Sequence, residues 1–328
     1  MFDLDSIINH KNSTRSMSDE DFNSLLPLMS QALSQYDYVP RYSDDELRLD
    51  WDRLMGYTSD SCLTSSQVRY GMKLCEHFFP NFYKVQNAKG VSFADCWTPD
   101  KLTKVLTWNR KSHSTPYLSE LRRGVYFCNG LVKSTMYRPH LAKTISDFYQ
   151  AGVVLDPCCG WGGRLLGTVA SGAHYIGFEP NIETYTNLLR LVDFLGIADK
   201  VSIYNIGAEN MDSVDFTCDL VLTSPPYFDT EVYSLETSQS IANKESYDQW
   251  SDEWLRPVVL KSLTHLRHGG VSCWNGDNKL LDLVGSIHAA AGWQKHKEFG
   301  IMSSARQTNQ NAAKNKKTKD MTICWKMA

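Results

Sequence analysis

Apolar positions in the second half of the chain fall in short runs that stop abruptly at polar, glycine or proline residues, and these runs alternate with stretches of helical spacing. Residues 152–156, 174–178, 201–206, 219–222 and 270–274 read as strands; 152–156 has the pattern of a buried strand, 219–222 is an apolar run and 201–206 alternates. Helices are predicted from residue 165 onward and over 182–194, 250–265 and 279–291. A last pair of runs, 293–302 and 321–325, predicts a hairpin. Upstream the pattern is helical and irregular. Ser18 caps a run over 22–33, helical spacing recurs over 65–79, a helix starts at Thr98-Pro99 and reaches Trp108, and another over 137–149 is entered through Pro139. The expectation is an α/β chain: a mainly helical region over 1–135, then a doubly wound sheet over 136–328 that closes in a terminal hairpin.

Two of the strand ends carry candidate chemistry. The first runs from Asp156 into Pro157-Cys158-Cys159-Gly160-Trp161-Gly162-Gly163-Arg164. Its glycines permit a tight turn and close backbone approach to a ligand, which is the layout of a cofactor loop. The Gly-x-Gly-Gly spacing is not the dinucleotide fingerprint, and an aspartate opening the loop would repel a pyrophosphate. The next strand ends at Glu179, 23 residues after Asp156, where an acid can accept hydrogen bonds from ribose hydroxyls. The second end is Thr223-Ser224-Pro225-Pro226-Tyr227. Two prolines lack amide hydrogens and fix the backbone, so the Ser224 hydroxyl and the Pro225 carbonyl form a rigid pair of acceptors for an amino group. Tyr227 offers a ring on which a base can stack.

Taken together, the loop at 156–163, Gly177-Phe178-Glu179-Pro180-Asn181 and Thr223-Ser224-Pro225-Pro226-Tyr227 resemble the S-adenosylmethionine-dependent methyltransferases that act on exocyclic amino groups of DNA bases. The resemblance covers roughly residues 135 to 290, in a form similar to stand-alone phage enzymes. It implies a Rossmann-like methyltransferase sheet, S-adenosyl-L-methionine as cofactor and DNA as partner, with the target base flipped or single-stranded. Ser224, Pro225, Pro226 and Tyr227 would be catalytic. The cofactor would meet Tyr137, Pro139, Asp156, Cys158, Gly160, Gly162 and Glu179, with Glu209 or Asn210 under the adenine. Serine at the first motif position is more frequent among cytosine N4 enzymes than among adenine N6 enzymes, so cytosine N4 is favoured. The competing readings are an RNA base amino-methyltransferase and, in a different class, an inactive nucleic-acid-binding module. A protein-glutamine enzyme would carry asparagine in place of Ser224.

The polar stretch over 228–247 is expected to cover the target base through Phe228, Asp229, Glu231 and Tyr233. Net charge is −3, which says nothing of nucleic acid, but its distribution does. Residues 1–60 hold twelve acids against five bases, whereas 294–319 hold seven bases, among them Lys314, Lys316, Lys317 and Lys319, against Glu298. That segment either contacts phosphates or is a solvated loop. Asn109-Arg110-Lys111 and Arg122-Arg123 are read as exposed surface, with phosphate contact the alternative. Nine scattered cysteines with no Cys-x-x-Cys speak against a disulfide framework and a zinc site, so no metal is expected and Cys158 and Cys159 are read as loop packing. The acidic start Met-Phe-Asp-Leu-Asp and the lack of a long apolar run predict no membrane span and a cytoplasmic protein.

Overall fold

The structure, a computed structural model, describes residues 3–131, 134–228, 231–234, 236–242, 244–302 and 318–328, with only the backbone at Glu231 and 318–320. Ten strands are formed among these residues: β1 (Leu63–Ser65), β2 (Gln86–Asn87), β3 (Val153–Asp156), β4 (His174–Phe178), β5 (Val201–Tyr204), β6 (Cys218–Thr223), β7 (Glu231–Val232), β8 (Leu266–Asn275), β9 (Trp293–Met302) and β10 (Thr318–Met327). The chain divides into two compact units, one of Met1–Pro40, Pro80–Thr135 and Asp229–Tyr233, the other of Arg41–Phe79, Met136–Phe228 and Ser234–Ala328.

In the larger unit eight strands form one sheet in the order β1-β9-β10-β8-β6-β3-β4-β5. Strands β5, β4, β3, β6 and β8 run parallel, and β10 lies antiparallel between β8 and β9. The doubly wound sheet and terminal hairpin are as the apolar pattern predicts; the hairpin's connection lies outside the described residues. Successive crossovers place β4 and β5 on one side of β3 and β6 and β8 on the other, so the sheet has its topological switch point between β3 and β6. Val154, Leu155, Leu220, Val221 and Leu222 are fully buried there, which is why these strands read as unbroken apolar runs.

Glycine decides how the first crossover helix packs. The Gly163–Ala170 helix lies so close to the segment entering the Pro139–Tyr149 helix that a Cβ at Gly163 would stand 2.1 Å from the Tyr137 carbonyl oxygen, and one at Gly167 2.2 Å from that of Pro139. The next helix, Ile182–Leu195, begins with the Asn181 side chain accepting from the Thr184 amide and ends at left-handed Gly196.

Three features differ from the expected pattern. Residues 41–79 belong to the sheet unit: β1 pairs parallel with β9 at the sheet edge, and helix follows only over Met72–Phe78, after left-handed Gly71. The helix expected over 250–265 begins at Tyr247 and contains a π-helical stretch, Ser251–Leu255. Part of the stretch expected to cover a base, Glu231–Val232, is instead a strand paired antiparallel with Gln86–Asn87 in the smaller unit. That unit is otherwise mainly helical, with Asp19–Ser34, Pro99–Lys111 and Leu118–Cys128 around a core that includes Phe22, Met29, Phe93, Leu106 and Val125.

Candidate active site

Both motif-bearing strand ends meet at the switch point, since β3 delivers the glycine loop and β6 delivers Ser224 to Tyr227 on neighbouring parallel strands. They are joined by a hydrogen bond: Thr223 Oγ1 donates to Asp156 Oδ1 at 2.8 Å. Asp156 is 0% exposed. Its carboxylate also accepts from Arg164 Nε (2.8 Å), the Tyr175 hydroxyl (2.8 Å) and the Cys158 amide (3.2 Å). Expected to face the cofactor, Asp156 has its oxygens turned inward and taken by four internal donors, and it knots the loop to β4 and β6.

Arg164 completes the knot. Buried behind the loop, its guanidinium donates to the carbonyls of Cys158 and Cys159 and lies 5.2 Å from the centre of the Tyr137 ring. The Tyr137 hydroxyl pairs with Thr322 Oγ1 at 3.2 Å, and buried Pro139 opens the following helix. Tyr137 and Pro139 thus stand beside the loop. Gly177 makes room for Cys159, whose Sγ would lie 2.4 Å from a Cβ at that position, and the Cys159 amide donates to the Phe178 carbonyl. Burial pushes both the Cys158 and Cys159 thiols up, away from thiolate chemistry, in keeping with a packing role.

With its inner side bonded, the loop turns at two left-handed glycines, Gly160 (φ 56°) and Gly162 (φ 73°). A Cβ at Gly160 would find no neighbour closer than 3.9 Å among the described residues, so the loop is open on that side. Glu179 borders it: one carboxylate oxygen accepts from the Gly160 amide (3.1 Å) and the other from the Asn181 amide (3.0 Å). Only 8% of Glu179 is exposed, and desolvation pushes its carboxyl up to about 7 against the pull of those two amides. Each oxygen keeps a lone pair for a further donor.

On the β6 side, Pro225 is buried and Ser224, Pro226, Tyr227 and Phe228 are half-buried. Ser224 Oγ has no hydrogen-bond partner among the described residues. Phe228 is occupied differently from expectation, its ring packing against Tyr247 (6.1 Å) and Trp250 (6.2 Å). Trp250 stacks on Trp254, whose indole donates to a Glu209 carboxylate oxygen at 3.0 Å, fixing Glu209 where β5 gives way to a 3-10 turn; Asn210 is exposed. Tyr233 lies in the segment that belongs to the smaller unit, Asp229 is outside the described residues, and Glu231 is described only as a strand residue opposite Asn87. Lys314, Lys316 and Lys317 also fall outside, and Lys319 is described only as backbone paired with Ile301. Arg164, Tyr175 and Thr223 are the site residues that sequence reasoning did not assign. An arginine at the head of an otherwise apolar helix was the available signal, because a buried cation requires an acid.

Among the described residues no group of three or more His, Cys, Asp or Glu could hold a metal ion, and no helix is long and apolar enough to cross a membrane. No protein-family model and no curated protein matches the chain. Solved structures similar to it include an rRNA methylase from Streptococcus thermophilus (13% identity, TM-score 0.37, 59% of this chain and 99% of that one). A ribosomal protein L11 methylase from Lactobacillus delbrueckii subsp. bulgaricus is also similar (14%, 0.40, 60% and 82%). So is SMU.1697c from Streptococcus mutans, solved in complex with SAH (13%, 0.37, 58% and 98%). A likeness of this depth says nothing of substrate.

Proposed function

We propose that the chain transfers a methyl group from S-adenosyl-L-methionine to an exocyclic amino nitrogen of a nucleic-acid base, with cytosine N4 of DNA the first substrate to test. The observation that carries this reading is the convergence, at one switch point, of an open glycine loop bordered by Glu179 and a Ser-Pro-Pro-Tyr turn, tied together through Thr223 and Asp156. Ligands of doubly wound sheets bind outside the carboxyl ends of the strands at that point.

The residues present fit the cofactor. A buried carboxylate held at a desolvation cost, with lone pairs left over, suits the vicinal hydroxyls of a ribose, and the bare backbone at Gly160 leaves room beside it. In this reading Glu179 holds the ribose, Tyr137 and Pro139 flank the loop, and Glu209 serves the adenine end. The bound cofactor would supply an electrophilic methyl on a sulfonium.

What the chain itself must do is make a poor nucleophile reactive. The lone pair of a conjugated amino nitrogen is delocalised into the ring. Ser224 Oγ and the Pro225 carbonyl, each accepting one amino hydrogen, would favour tetrahedral geometry and free the lone pair. That the Ser224 hydroxyl has no partner among the described residues supports this role. Positioning of this kind needs no covalent intermediate. An RNA base amino group would meet the same two acceptors, so the test covers both polymers. The protein is incubated with methyl-labelled cofactor and either DNA or RNA, and the polymer is digested to nucleosides. N4-methylcytosine from DNA is the expected product; label in neither polymer would overturn the proposal.

A further inference from the structure

In the smaller unit, the Pro99–Lys111 and Leu118–Cys128 helices turn one face each to the core, through Leu102, Val105 and Leu106 and through Leu121, Gly124 and Val125. Their other faces form one surface. Gly124 brings the helices close, since a Cβ there would stand 2.8 Å from Val105 and 3.1 Å from the Trp108 ring. Trp108 and Phe127 therefore meet on the outside, stacked with centroids 5.8 Å apart at 27°, and Arg123 lies 6.0 and 5.9 Å from the two rings. Phe127 is 67% exposed. Phe127 and the half-buried Trp108 stacked on it form a contiguous aromatic patch at the surface, and such patches mark interaction sites.

Charge indicates what covers it. Lys101, Lys104 and Lys111 share the helical stripe of Trp108, at spacings of three and four. Lys104 and Lys111 are exposed, without an ion pair among the described residues. Arg123 is held at 2.6 Å by Glu120, and exposed Asp100 stands in the first turn of the Pro99–Lys111 helix, four residues before Lys104. The neighbouring arginines are spent internally, Arg110 on the carbonyls of Thr14 and Met17 and on Asp19, Arg122 on those of Tyr38 and Asp37. What remains is an aromatic pair flanked by four cations and two acids, Asp100 and Glu120, a surface of net positive charge.

We infer that the Trp108–Phe127–Arg123 surface is a stacking platform for an unpaired segment of nucleic acid, its bases lying on the rings and its phosphates meeting Lys101, Lys104 and Lys111. A duplex hides the base faces that such a platform takes, whereas a single strand offers them regardless of sequence. The choice of occupant rests on the nucleic-acid reading above; the site itself lies wholly within the smaller unit.

The test uses the full chain and fluorescein-labelled oligo-dT and oligo-U of about a dozen nucleotides, with a duplex of equal length, read by anisotropy over a series of salt concentrations. Single strands should bind more tightly than the duplex. Phe127→Ala should weaken single-strand binding roughly tenfold or more, and Phe127→Tyr should retain it. Lys104→Gln with Lys111→Gln should lower the salt slope by about 1.4, two contacts at roughly 0.7 each. Because Phe127 is exposed and its loss removes little more than the stack on Trp108, its replacement should lower the melting temperature by only a few degrees, so a loss of binding is not a loss of fold. Wild-type affinity in Phe127→Ala, or dimers in sedimentation that this substitution dissolves while oligonucleotide binding persists, would overturn the inference. Phe127-dependent binding without methyl transfer to either polymer would instead refute the proposed activity and leave the platform standing.

Discussion

Replacing Arg164 with methionine tests whether the candidate site is held from behind. Methionine keeps the length and apolar stem of the side chain and removes its charge and donors. The Asp156 carboxylate, 0% exposed, would keep the Tyr175 and Thr223 hydroxyls and the Cys158 amide but lose its cation at 2.8 Å. The carbonyls of Cys158 and Cys159 would lose their guanidinium donor as well. Breaking one side of a buried pair costs about 3–5 kcal/mol, mostly because an uncompensated charge stays inside. Urea unfolding followed by circular dichroism should show a loss of that size in Arg164→Met. Asp156→Asn, which strands the guanidinium instead, should lose a similar amount. The double variant should not lose the sum, because it removes both charges and leaves neither stranded. Titration calorimetry on Arg164→Met should also show weaker binding of S-adenosyl-L-methionine, since the loop loses its inner anchor. A loss below about 1 kcal/mol, or single-variant losses that add in the double, would refute the inner knot.

Glu179 sets a pH dependence: a carboxyl held near 7 must ionise to accept ribose hydroxyls, so cofactor affinity should rise as pH goes from about 5 to 7 and level off above, and Glu179→Gln should abolish that dependence. His140 and His288 set another. Both are fully buried and, chiefly through desolvation, held down to about 4 from the ordinary 6.5, so the unfolded chain takes up their protons first. Stability is therefore complete above 6.5 and falls as pH drops towards 4, by about 3 kcal/mol for each histidine; urea midpoints should follow this, and a double glutamine variant should flatten the fall. Ser224→Ala leaves the prolines untouched, so single-turnover methyl transfer should slow by about 10²-fold or more while cofactor titrations stay unchanged; transfer at the wild-type rate would sink the amino-group mechanism.

Period and punctuation made the sheet legible. Strands buried on both faces leave unbroken apolar runs, and each of the two motif-bearing runs ends where glycine or proline forbids extension. The segments that escaped lack a local signal. β1 is three residues long and pairs with Gly300 to Met302, far along the chain, so nothing around residue 64 announces it. The two-residue strand at Glu231–Val232 is likewise defined only by its partner at Gln86–Asn87. The Asp44–Met55 helix, by contrast, carries a full capping box of Ser43 and Glu46 and could have been read. Arg110 and Arg122, expected as exposed surface, are anchors bonded to backbone carbonyls, because an arginine's burial depends on carbonyls that sequence does not bring near.

Asp156 and Glu179 show how the same loop grammar can assign two acids one role when the fold gives them two. Both stand at strand ends bordering the glycine turn, and sequence spacing alone treats each as a ligand acceptor. Distance from the loop's inner face separates them. Asp156 is the last residue of β3, beneath the turn, where Arg164, Tyr175 and Thr223 reach it from three elements and leave it no free direction. Glu179 lies just past the end of β4, beside the turn, where among the described residues two amides reach it, that of Gly160 in the loop and that of Asn181 at the head of the next helix. On the proposed reading, rigidity and recognition are divided between the two carboxylates. The first fixes where the backbone of Gly160 stands, and the second waits there with its remaining lone pairs. A glycine loop held this way need not reorganise around a ligand, which lowers the ordering cost of binding.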